Sequence, residues 1–130
     1  MPDSTITAGR YDRLSLVLLA LYAALLFTGT HLPGVPTAAV GLFSHDKLVH
    51  FGAYAVLGCL VAVCVTPRGG RLALVSGILI VLGIAVVGAI DELTQPYVGR
   101  SCDERDWLAD VVGAAVGVGA YGWWSRWRRG

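Results

Sequence analysis

Residues 89 to 113 read AIDELTQPYVGRSCDERDWLADVVG, six acids, two arginines and a glutamine between two apolar stretches. Asp91 and Gln95 stand four residues apart with Glu92 beside them, and Asp106 and Asp110 repeat that interval. Upstream, Asp46, His50 and Tyr54 do the same, continuing to Gly58. On a helix, each set falls on one face. Carboxylates that share a site repel, so they take up protons or find a cation. Three chemistries fit these residue types. The acids can pair with Arg100, Arg105 or Lys47 in a network that pins helices in register. Asp91, Glu92, Asp106 and Asp110 can hold a divalent cation, with oxygen donors suiting magnesium or calcium and histidine favouring transition metals. Finally, His50 with Asp46 one turn away can move a proton while Arg100 holds a phosphate or carboxylate bidentately. Gln95 and Tyr54 complete the expected ligand-binding set. No nucleophile stands out, since Ser101 and Cys102 have no strand-turn-helix elbow around them.

The remaining polar residues carry blander expectations. Asp103 and Glu104 read as a solvated loop, and His31, His45, Cys59 and Cys64 are given no role. The three cysteines are spaced for neither a disulfide framework nor a zinc site.

Helices must position these groups, and the composition says in what solvent. The chain has 130 residues, 55% of them hydrophobic, and a mean hydropathy of +0.66. No charge interrupts Leu72 to Ile90, close to the roughly 20 apolar residues that span a bilayer. Four such stretches are predicted, at about 14–32, 48–66, 72–90 and 107–124, and a small soluble domain cannot bury four. The expected fold is therefore all-α: a single membrane domain over 1–130, an integral bundle of four transmembrane helices. The first stretch is longer than the apolar part of a signal peptide and lacks a convincing cleavage site, so it is read as retained. The fourth is glycine-rich and holds Asp110, as expected of a helix packed inside a bundle. Gly58, Gly88, Gly113 and Gly117 lie below the polar tips of their stripes and are read as packing positions, Gly113 and Gly117 forming a G-x-x-x-G.

Charge gives a sidedness. Arg10, Arg13, Arg68, Arg71, Arg126, Arg128 and Arg129 fall on one side if every stretch spans, with Trp123, Trp124 and Trp127 beside the last of them. The positive-inside rule then puts both termini in the cytoplasm. Of the nine acids, only Asp3 and Asp12 fall on the cytoplasmic side, so the polar cluster faces outward. Membrane lipids are the expected surroundings, and so short a basic tail is a poor fit to nucleic acid.

Two segments together, HDKLVHFGAYAVLG and GAIDELTQPYVGRSCDERDWLADVVGAAVG, resemble the VanZ-like family of small bacterial membrane proteins. The matching residues are Asp46, Lys47, His50, Phe51 and Tyr54, then Asp91, Glu92, Gln95, Arg100, Asp106, Gly113 and Gly117. Asp110 departs from the pattern, since many members carry asparagine there. The family takes its name from a protein associated with low-level resistance to the glycopeptide teicoplanin. The resemblance implies a multi-pass protein of the bacterial inner membrane. The function expected from it is binding of a cell-wall or lipid precursor, or of a glycopeptide, in the outward polar pocket. A membrane-embedded hydrolase or transferase acting on a phosphate- or ester-containing lipid, and a scaffold held by ion pairs, are the alternatives.

Overall fold

The computed structural model describes residues 13–32 and 46–128, apart from the side chain of Asp46. Expectations that fall on Arg10, His45, Arg129 and the Asp46 carboxylate lie outside the described residues. Four helices follow in chain order: α1 (Arg13–His31), α2 (Asp46–Val65), α3 (Leu74–Thr94) and α4 (Glu104–Trp127). The described residues contain no strand.

Helices α1 and α2 and the stretch Leu74–Val98 are long and apolar enough to cross a membrane. The fourth helix has 24 residues but opens on Glu104, Arg105 and Asp106 and is rich in glycine. The structure thus bears out an all-helical architecture with three helices suited to a bilayer. The fourth span stays an expectation drawn from its apolar, glycine-rich stretch, and the sidedness one drawn from charge.

Elements run past the sequence boundaries at the polar end. Helix α3 continues beyond Ile90 to Thr94 and passes into a 3-10 turn, Gln95–Val98, with Pro96 near its start. Hydropathy falls at Asp91, but a helical backbone tolerates acids and yields only where proline removes the N–H donor. Gly99, at φ 77°, closes the turn in the left-handed conformation that glycine adopts without strain. Helix α4 begins at Glu104 because the Asp103 side chain accepts the Arg105 N–H, an N-cap that satisfies one otherwise orphaned donor.

Three helices bring their polar tips together. Lys47 meets Asp106, His50 meets Asp110, and Glu92 meets the backbone of Asp103. Helices α2 and α4 therefore run parallel, with α3 antiparallel to both. They are also the most closely packed pair. A Cβ on Gly113 would collide with the Phe51 carbonyl, and one on Gly117 with that of Ala55. At Gly58 the added atom would lie 2.7 Å from the Ala114 oxygen. Lipid supplies no hydrophobic drive between helices, so close backbone packing must hold the pair. Gly88 differs: a Cβ there would meet Trp107, Asp110 and Tyr54 only at ordinary contact distances of 3.5–3.7 Å. Of the four expected packing glycines, three form the α2–α4 seam, and Gly88 packs against side chains of the polar cluster with room for a methyl group.

Helix α1 is peripheral, with Thr30 its buried residue. Leu19, Tyr22 and Leu26 pack it against the core, chiefly along α2, and polar bonds add to this: the Tyr22 hydroxyl donates to the Ala53 carbonyl (2.8 Å), and Thr30 reaches Asp91.

Candidate functional site

Asp91 and Glu92 are consecutive on α3, and the 100° between consecutive helical residues sends them to different neighbours. Asp91 faces α1. Its Oδ1 accepts from the Thr30 hydroxyl at 3.0 Å and lies 3.4 Å from His31 Nδ1, while His31 Nε2 is 2.9 Å from Thr94 Oγ1. Glu92 faces α2 and α4. One of its oxygens accepts the Asp103 backbone N–H at 3.0 Å, and the other the Gln95 side-chain amide at 2.9 Å. Gln95 is 2% exposed, and its amide also comes within 3.5 Å of Asp91 Oδ2. The glutamine sits at the hinge between two polar centres.

The inner centre comprises His50, Glu92 and Asp110. Each offers one ligand atom, and these atoms lie within 4.8 Å of one another. His50 Nδ1 is 2.9 Å from Asp110 Oδ1, so the imidazole's ring orientation is fixed by a carboxylate on another helix. Exposures of 7%, 3% and 1% keep bulk water from all three. Tyr54 packs beside them at 2% exposure, near Asp110 across from Gly88.

The outer centre is Thr30, His31, Asp91 and Thr94. His31, Asp91 and Thr94 border a groove of ≈ 480 Å³ whose apolar walls come from Phe27, Val87, Ile90 and Val98. Phe27 stacks on His31 with ring centroids 4.1 Å apart. Arg100 lies at the same end, its guanidinium 3.4 Å from the Gly29 carbonyl on α1.

A third group seals the mouth. Lys47 Nζ lies 2.7 Å from Asp106 Oδ1 and 3.2 Å from Asp103 Oδ2, tying the first turn of α2 to that of α4. Trp107 Nε1 donates to the Ala85 carbonyl at 2.9 Å and ties α4 to α3.

The sequence-predicted residues thus divide. Of the four acids expected to hold a cation, Glu92 and Asp110 come together with His50, whereas Asp91 turns to α1 and Asp106 to Lys47. Arg100, expected to neutralise acids, forms no ion pair among the described residues and points instead toward α1. Asp46 opens α2, but His50 finds its described carboxylate partner in Asp110. Sequence reasoning missed His31 and Thr30. Their signal was the register of α1, whose polar end carries a hydroxyl and an imidazole next to each other.

The ordered set of polar positions on apolar helices matches more than local patterns. The sequence model of the VanZ/LLP1 family matches residues 4–125. No curated protein and no solved structure matches the chain. Family match and apolar helices together fit a membrane protein, and with nearly the whole chain aligned, this chain belongs to the VanZ/LLP1 family.

Proposed function

We propose that this chain is a multi-pass protein of the bacterial inner membrane that binds a phosphorylated, long-chain envelope lipid of the cell-wall-precursor type. The observation that carries the reading is the α1–α3 groove. Its lining is mostly apolar, with His31, Asp91 and Thr94 as its polar members, so it suits an amphiphile with its chain along Val87 and Ile90 and its head near His31 and Thr94. Arg100 at the same end is a fixed cation whose planar fork matches a phosphate. Both termini are placed in the cytoplasm and the groove's polar members outside, on the strength of the basic residues at the opposite end.

Native mass spectrometry of the gently extracted protein tests this. A polyprenyl phosphate added to the micelle should remain bound to the wild type and be lost in Arg100→Ala, while a zwitterionic phospholipid binds both alike. Binding of a teicoplanin-class glycopeptide without any preference for the phosphorylated lipid would replace this reading with direct glycopeptide recognition. One observation favours a second reading, a hydrolase or transferase on such a lipid. A buried imidazole oriented by a carboxylate is an arrangement suited to general acid–base work. Release of phosphate or alcohol from the bound lipid, abolished in His50→Ala, would establish it.

A further inference from the structure

We infer that His50, Glu92 and Asp110 form a divalent-metal site inside the bundle, selective for zinc or manganese over magnesium and calcium.

Asp110 Oδ2 is buried and has no hydrogen-bond partner, on a residue that is 1% exposed. A carboxylate oxygen left unpaired in a low-dielectric interior is costly, and the cost falls on the whole bundle. The atom is directed at α3, where Gly88 puts no side chain in its way; a Cβ there would stand 3.7 Å from it. One helical turn further along α3 is Glu92, whose carboxylate joins the same cluster.

Charge then chooses the occupant. Two carboxylates and a neutral imidazole carry two negative charges, and one dication cancels both. A protonated His50 would cancel only one and would still leave Oδ2 without a donor. The supporting contacts are of the kind that hold metal ligands. Glu92 is fixed from outside by the Gln95 amide and the Asp103 N–H, as outer-shell partners fix ligating carboxylates. One nitrogen and two oxygens form a mixed set that suits zinc or manganese, whereas calcium takes six or more oxygens and magnesium keeps most of its water. Ligand atoms around a tetrahedral ion at about 2.1 Å lie about 3.4 Å apart. Binding therefore closes the wider of the present separations, all within 4.8 Å, and opens the 2.9 Å contact between His50 Nδ1 and Asp110 Oδ1. The fourth position is left to water or to a ligand. This inference goes beyond the lipid reading and does not need it, because the cluster and the groove lie on different faces of α3.

The test uses the full chain in detergent, stripped with a chelator and then offered Zn²⁺, Mn²⁺, Mg²⁺ or Ca²⁺ singly. After desalting, elemental analysis should find one equivalent of zinc or manganese and none of magnesium or calcium. Asp110→Asn and Glu92→Gln should each weaken binding by at least about 100-fold, and Gln95→Ala by about 10-fold. Glu104→Gln and Cys102→Ser should leave it unchanged. X-ray absorption on the zinc-loaded wild type should show one imidazole with oxygen neighbours, a readout that does not depend on any variant folding. Failure to retain metal, equal retention by Asp110→Asn, or sulfur in the zinc shell would each overturn the assignment.

Discussion

Asp103 uses both carboxylate oxygens. Oδ1 accepts the Arg105 N–H at 2.9 Å, and Oδ2 takes the Lys47 ammonium at 3.2 Å. The backbone bond foremost, and then the lysine, favour the anion and hold its pKa below the ordinary carboxylate value. A carboxyl depressed in the folded state stabilises the protein above its unfolded pKa and loses that contribution as pH falls through the folded value. The apparent melting temperature in detergent should therefore drop as pH is lowered below about 4, and less steeply in Asp103→Asn than in the wild type. Asparagine still caps α4, so at pH 7 Asp103→Ala should melt lower than Asp103→Asn. Thr30→Val tests the outer centre: loss of the bond to Asp91 should cost about 1 kcal/mol in unfolding assays in mixed micelles. At this scale the faces were legible in the sequence and the partners were not. The four-residue spacing put His50 and Tyr54 on one face and Asp106 and Asp110 on another, because helical periodicity needs only local chemistry. It carried no information on which face meets which. Lys47 therefore took the role expected of Arg100, and Asp103, read as mere loop, turned out to cap a helix.

The elements follow from the glycines. Gly113 and Gly117 let α4 lie against the α2 backbone at Phe51 and Ala55, where a methyl group would strike a carbonyl oxygen that cannot move without its helix. Gly117→Ala should destabilise the protein by about 1–3 kcal/mol, the usual cost of overpacking. Gly83→Ala and Gly119→Ala, at positions with nothing within 4 Å, should be neutral or slightly stabilising. Comparing the three variants by thermal unfolding in one detergent separates packing from propensity. The G-x-x-x-G aligned with two aspartates marked a close-packing face on α4 but did not name α2 as its partner. Hydropathy misplaced the end of α3 because it registers acids while the backbone registers proline.

At the scale of the molecule, the described acids lie at one end, and Arg68, Arg71, Arg126 and Arg128 lie at the other. Arg128 lies 3.6 Å over the Trp124 ring, and Trp123 stacks on Trp127, an arrangement suited to the headgroup region. Alkaline phosphatase should be active when fused after Cys102 and inactive at the C-terminus, with green fluorescent protein giving the converse. Activity of the phosphatase at the C-terminus would reverse the orientation. The sidedness expectation rests on the arginines alone, since it depends on counting charges and on no tertiary contact. The division of the polar end into two centres was not legible, because it depends on the roll of α3 about its own axis. That roll is fixed twice, by Thr30 holding Asp91 from one flank and by Asp103 holding Glu92 from the other, with Gln95 bonded between. A helix gripped on two sides like a key in its wards cannot turn to relieve one contact without straining the next, so a change at either polar centre is felt at the other through α3.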